Sequence, residues 1–217
     1  MRERLFKCLK KGRIGPFSNF KWPRCGVWVK AEGPLSVCQN GIHLCREKDL
    51  VEWLNEEICE AEYRGDERID SGTKIVVREA RLTKRLKAWN EKTARLFVCD
   101  CAERALSIYE KKYPNDKRPR HAIEISRKYA NKKATKEELA AARGAAWAAA
   151  WAAARGAAWA AAWAAARDAA WAAARAAAGD AAGAAERKWQ TKRLMEYLYP
   201  KENRNPAKLS GRRGNEF

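Results

Sequence analysis

The residues best suited to chemistry are seven cysteines and two histidines, His43 and His121. Cys25, Cys38, His43 and Cys45 are the set that could hold a zinc ion. Structural zinc sites usually contain paired cysteines two to four residues apart, and this stretch has no such pair. With an odd number of cysteines and no secretion signal, free thiols in a reducing compartment are expected. We therefore predict no metal site and no cofactor.

His43 lies in the apolar run Gly41–Cys45, which predicts a buried strand. Its neighbour Cys45 could form a nucleophile pair with it, and Glu60 or Glu62 could complete a site like that of an ADP-ribosyltransferase. The sequence has no Walker loop, no HExxH and no GxSxG. We predict a protein without catalytic residues and keep the transferase-like site as an alternative.

A second candidate site binds anions at the start of a predicted helix. Helix N-termini and arginine forks both suit phosphate or carboxylate. Its four residues are Arg118, Arg120, His121 and Arg127. The alternative is architectural, with the arginines bridging to Asp116, Glu103 or Glu124 inside a helix bundle.

The most distinctive stretch is an alanine-rich repeat over residues 143–183, in which Trp, Arg or Gly recurs at every fourth position. Alanine is the strongest helix former, and residues four apart are neighbours on a helix surface. Stacked Trp–Trp and Arg–Trp contacts are therefore predicted. We call this set the Trp/Arg ladder and predict that it binds a partner through Trp147, Trp151, Arg155, Trp159, Trp163, Arg167, Trp171 and Arg175.

The ladder does not form a single apolar stripe, because each step of four residues is displaced by about 40° around the helix. Three explanations stay open. Other helices surround it, the helix breaks near Gly144, Gly156 or Asp168, or the tryptophans are partly exposed. We favour a long helix, continuous or kinked, that runs from a capping box at Thr135–Glu138 towards Pro200.

The remaining elements predict an α+β fold. Residues 1–87 form a small domain with a mixed or antiparallel sheet. Its predicted strands lie at Arg4–Leu9, Val27–Lys30, Gly41–Cys45, Ile58–Tyr63 and Thr73–Ala80. A short helix is predicted at Glu47–Asn55 and a polar turn at residues 64–72.

Residues 88–199 are predicted to form an all-α domain. Its first helix covers Thr93–Tyr113 and ends before Pro114. The second begins near Pro119, at a first helical position, and ends near Ala130. Residues 200–217 are a basic tail that we expect to be flexible.

The net charge of +18 attracts nucleic acid, nucleotides, acidic proteins or anionic membranes, and charge alone does not choose among them. Arginine interrupts the alanine-rich stretch too often for membrane insertion, so no membrane association and a cytoplasmic location are expected. Self-association stays open.

Two regions resemble known families. The strings CAERAL at Cys101–Leu106 and RPRHAIEISR at Arg118–Arg127 resemble an immunity-protein family of bacterial polymorphic-toxin systems, whose members also carry an alanine-rich helical stretch. CQNGIHLC at Cys38–Cys45, with the later TKIVVREA, resembles an uncharacterised domain of phage and bacterial proteins with the string C-x-x-G-F-H-x-C. Ile42 replaces the phenylalanine here.

The resemblance implies a non-enzymatic immunity or counter-defence protein. Its partner would be a toxin, another effector or a defence component. The alternative class is a binder of nucleotides or nucleic acid, including one that sequesters a nucleotide signal, since tryptophan stacks on bases and arginine contacts phosphates.

Overall fold

The computed structural model describes the backbone of residues 3–149 and 169–200, and the side chains of the same residues except 105, 108 and 169–182. The first part of the chain contains the strands β1 (Leu5–Leu9), β2 (Trp28–Lys30), β3 (Ile42–Arg46), β4 (Glu57–Ser71) and β5 (Lys74–Arg85). A 3-10 helix, Glu47–Trp53, joins β3 to β4. The helices that follow are α1 (Glu91–Lys112), α2 (Arg118–Ala130), α3 (described over 136–149) and α4 (described over Ala169–Leu198).

The sheet is antiparallel and curls back on itself. Its order is β2-β5-β3-β1-β4, and β4 also pairs with β5. β1, β3, β4 and β5 therefore form a closed ring, while β2 is added to the end of β5 beyond β3. Closing the ring covers edges that an open sheet would leave free to pair with another chain.

Successive side chains along each strand point to opposite sides of the sheet, and both sides of the ring carry apolar residues. In β1, Leu5 and Leu9 belong to an inner cluster with Trp22, whereas Phe6 and Cys8 belong to a second cluster on the opposite face. This follows from the two-residue period of a strand. We call the second group the outer cluster.

The helical region packs on the outer cluster. The helical residues in this cluster are Phe97 of α1 and Leu194 and Leu198 of α4, together with Trp89 just before α1. They pack against Phe6, Cys8, Cys45, Leu50 and Ile58. The Asn90 side chain accepts from the backbone N–H of Thr93, and the Thr93 hydroxyl accepts from the backbone N–H of Asn90, which fixes the start of α1. The outer cluster is therefore built from both the strands and the helices.

The α+β fold class is confirmed, and the sheet is antiparallel. The turn predicted at residues 64–72 is wrong, because β4 continues to Ser71 and only a tight turn separates it from β5. Cross-strand ion pairs hold this polar hairpin, including Arg64 with Glu79 and Arg78 with Glu67. The predicted helix after β3 is a 3-10 helix rather than an α-helix.

The helix starts are close to their predicted positions. Pro119 lies in the first turn of α2, one residue after its first helical residue. The capping box is confirmed: the Thr135 N–H donates to Glu138 Oε2 (2.7 Å) and the Glu138 N–H donates to Thr135 Oγ1 (3.1 Å). α3 continues through Gly144, so a break at that residue is wrong. Gly156 and Asp168 lie outside the described residues, as do residues 201–217 of the predicted tail.

Candidate interaction surfaces

A buried carboxylate on α1 joins three helices. Asp100 accepts from Arg193 Nε (2.7 Å) and the Tyr197 hydroxyl (2.8 Å) on α4, and it pairs with the Arg127 guanidinium (2.7 Å) on α2. Burial alone would raise the pKa of Asp100, but the hydrogen bonds from Tyr197, Arg193 and Arg127 together lower it. This network fixes the orientation of the bundle that presents the surfaces described next.

The candidate anion site at the start of α2 already contains carboxylates. Asp116 accepts from the backbone N–H, Nε and terminal nitrogen of Arg118, and these bonds, the side-chain bonds first, lower its pKa. Arg120 binds Glu110 with two contacts of 2.7 and 2.5 Å. An incoming anion would have to displace these partners. The anion-binding role of Arg118, Arg120, His121 and Arg127 stays a prediction; His121 is exposed and Arg127 lies in the Asp100 network.

His43 holds the turn before its own strand. Its Nε2 accepts from the Cys38 backbone N–H (3.0 Å), and its Nδ1 lies 3.1 Å from the Gly41 carbonyl oxygen. Burial, followed by the nearby Lys7 and Lys74, lowers the pKa of His43. The neutral ring with its proton on Nδ1 satisfies both contacts, so both nitrogens bind backbone.

The two glutamates of the transferase alternative contact residues other than His43. Among the residues that the structure describes, no group of three or more His, Cys, Asp or Glu side chains could hold a metal ion. Glu60 accepts from the Tyr199 hydroxyl, and Glu62 pairs with Arg81. Neither glutamate binds His43 in the described part of the chain. The structure therefore does not bring these residues together as a transferase-like site would require.

The start of the ladder region lies on the surface of α3. Leu139, Ala142 and Ala149 are buried, whereas Arg143 and Trp147 are on the exposed side, and the Trp147 side chain is 68% exposed. Trp171 and Arg175 lie in the described backbone of α4, but their side chains are outside the description. Also outside it are Trp151, Arg155, Trp159, Trp163 and Arg167.

An open groove of about 1020 Å³ separates the 3-10 helix from α4. One wall carries Glu47 and Glu52, the other carries Lys188 and Lys192, and Met195 adds an apolar surface. The walls are therefore mainly opposite in charge, with Lys48 and Glu196 as the exceptions. Over the ranges 3–149 and 169–200, no helix is long and apolar enough to cross a membrane.

Two family models match the chain. Residues 84–197 match the family described as Imm-5 like putative immunity protein, and residues 4–94 match a domain of unknown function (DUF7666). The class indicated by the helical region is thus that of immunity proteins. The first match covers more than half of the chain, which therefore belongs to the Imm-5 like family and carries the uncharacterised domain before it. No curated protein and no solved structure matches the chain.

Sequence reasoning missed two groups of residues. Asp100 and Arg193 are 93 positions apart, and no local pattern links them. The second group is the basic and aromatic loop between β1 and β2, which belongs to none of the sites predicted from the sequence. Its sequence already contained the signal, namely cations and phenylalanines without a single acid.

Proposed function

We propose that this chain is a non-enzymatic immunity or counter-defence protein that neutralises a protein toxin or another effector by binding it. The binding surface would be the exposed side of α3 together with the ladder that follows it. Family membership supports the general role. The partner and the surface are inferences of ours.

The exposure of Trp147 is the observation that carries the proposal. Trp147 is 68% exposed, on a helix whose other face is buried, so its ring is accessible to a partner. Trp and Arg are also the residue types that contribute most to binding hot spots, and Arg143 lies one turn before Trp147. With a net charge of +18, an acidic partner would associate faster than a neutral one.

Capture from the native host tests the proposal. The tagged full-length chain is used as bait beside Trp147→Ala and the control Phe17→Ala, which removes a second exposed aromatic ring from the β region. A captured protein is the partner if its expression arrests growth and co-expression of this chain restores it. Trp147→Ala should weaken the complex roughly 30-fold or more, the usual loss at a hot spot.

The controls separate this surface from the others. Circular dichroism should give the same helix content for Trp147→Ala and wild type, because the side chain is exposed. If Trp147→Ala neutralises the partner as well as wild type, the proposed surface is wrong. Loss of neutralisation in Lys188→Glu/Lys192→Glu alone would assign the partner to the groove between the 3-10 helix and α4. Protection by a small nucleotide against thermal unfolding would instead favour the nucleotide-binding alternative.

A further inference from the structure

The segment of residues 10–27 between β1 and β2, which we call the basic loop, has an unusual composition. It contains no Asp or Glu. Both of its phenylalanines are exposed, Phe17 by 85% and Phe20 by 46%. Its cations are Lys10, Lys11, Arg13, Lys21 and Arg24.

The strand ring fixes the shape of this loop. Glu57, which is almost fully buried, accepts from the backbone N–H groups of Gly12 (3.1 Å) and Arg13 (3.2 Å). The Gly15 N–H donates to the Phe20 carbonyl oxygen (2.8 Å), and the Trp22 N–H donates to the Arg13 carbonyl oxygen (2.9 Å). The loop is therefore preorganised, which lowers the ordering cost of binding.

Two non-glycine residues of the loop have a positive φ. Arg13 and Asn19 have φ of 63° and 54°, in the left-handed region. Asparagine tolerates this region, whereas for the arginine it costs of order 1 kcal/mol. The contacts of the Arg13 backbone with Glu57 and Trp22 hold it there.

Within the described ranges, the side-chain cations of the loop have no acidic partners. Among the ion pairs of the described residues, none involves Lys10, Lys11, Arg13, Lys21 or Arg24. The arginines of α2 are, by contrast, paired with Asp116, Glu110 and Asp100. The acids nearest to the loop, Glu56 and Glu57, accept from its backbone, and Glu57 also pairs with Arg85.

The end of β5 extends the same positive surface. The Gly26 N–H donates to the Leu82 carbonyl oxygen (2.7 Å), which places Arg24 and Cys25 beside the end of this strand. The next residues of β5 include the exposed Lys84 and Arg85. Loop and strand thus form one face that is rich in positive charge and contains exposed aromatic rings, and Arg85 is a member of this face that is paired, with Glu57.

We propose that this face binds single-stranded nucleic acid. The phosphates would contact the lysines and arginines, and unpaired bases would stack on Phe17 and Phe20. Aromatic rings beside a positive groove are the usual means by which proteins hold single strands without sequence preference. Phe20 is already fixed edge-on against Trp22, with ring centroids 5.9 Å apart.

An anionic membrane is the other partner that positive charge attracts. It fits this face less well, because membrane-surface elements gather their apolar side chains on one side. Here the exposed Phe17, Phe20 and Val27 alternate along the chain with polar and basic residues.

Fluorescence anisotropy with labelled 20-nucleotide oligo(dT) and oligo(U) tests the proposal, using the full-length chain at 50–200 mM NaCl. Binding should weaken with salt, with a slope of log K against log salt of about −2 to −4. Phe17→Ala should weaken binding roughly 5- to 100-fold, as expected for one lost stacking contact. Because the Phe17 side chain is exposed, the thermal unfolding of Phe17→Ala should match that of the wild-type chain.

A matched pair of charge variants separates the face from the overall charge. Lys11→Gln/Lys21→Gln/Arg24→Gln should reduce the magnitude of the salt slope by about 2. Lys132→Gln/Lys133→Gln/Lys136→Gln makes the same charge change at the exposed connection between α2 and α3 and should leave the slope unchanged.

Four results would overturn the proposal. Equal weakening by both triple variants would show that only net charge matters. Binding of a duplex as tightly as a single strand, with no effect of Phe17→Ala, would remove the stacking role. Weaker oligonucleotide binding by Trp147→Ala would move the site to the ladder. Binding to vesicles of phosphatidylcholine with 30% phosphatidylserine, without oligonucleotide binding, would identify a membrane surface instead.

Discussion

At the scale of single residues, Asp100 shows how one buried charge can organise a bundle. It receives three charge-assisted hydrogen bonds, from Arg127, Arg193 and Tyr197, so it lies buried while ionised. Asp100→Asn should lower the free energy of unfolding by about 2–4 kcal/mol, because its two guanidinium partners would keep only the exposed carboxylates of Glu103 and Glu196. Urea denaturation at pH 7 measures this loss. The control Glu196→Gln, which alters only an exposed pair with Arg193, should cost about 0–1 kcal/mol.

The same residue predicts a pH dependence. The pKa of Asp100 is lower in the folded chain than its ordinary value of 3.8. Its contribution to stability is therefore complete above that value and is lost as the pH falls through the folded pKa. The stability difference between wild type and Asp100→Asn should be constant from pH 7 to pH 5 and shrink below pH 4. A difference that persists unchanged at pH 2 would show that the side chain acts through packing and not through charge.

At the scale of elements, the capping box of α3 positions the start of the proposed binding helix. Thr135→Ala removes the oxygen that accepts from the Glu138 N–H and should cost about 1 kcal/mol. Thermal unfolding measures this cost, and Lys136→Ala, one residue later and exposed, is the control. If Thr135→Ala leaves the melting temperature unchanged, the start of α3 contributes nothing to global stability, and fraying should then be visible in amide exchange of its first turn.

Elements defined by neighbouring residues could be predicted from the sequence, and those defined by distant ones could not. The Thr135–Glu138 box and the end of α1 near Pro114 depend on contacts within a few positions. The length of β4 depends on its partner, because Arg64 and Asp70 look like turn residues until β5 pairs with them. The closed ring and the Asp100 network join residues far apart in sequence. The basic loop needed the structure to show that its cations form no ion pair with the acids that the structure describes.

At the scale of the whole molecule, the outer cluster joins the two matched family regions. Phe6 and Ile58 belong to the uncharacterised domain, whereas Phe97 and Leu194 belong to the immunity-family region. The Thr191 hydroxyl also donates to the Lys48 carbonyl oxygen across this contact (3.4 Å). Separating the regions would expose these side chains to water at a cost of roughly 1.5–3 kcal/mol for each large one. We therefore expect the strands and the helices to unfold as a single cooperative unit.

Leu194→Ala tests this cooperativity, since Leu194 is fully buried at the centre of the contact. Removing it should lower the free energy of unfolding by about 2–5 kcal/mol. If the unit is cooperative, amide exchange should accelerate equally in β1, in β4 and in α1, although the substitution is on α4. Lys192→Ala, an exposed position on the same helix, should leave all three unchanged. Faster exchange confined to the helices would mean that the β region is stable without its helical neighbour, and that the loop and ladder surfaces belong to independently folding parts.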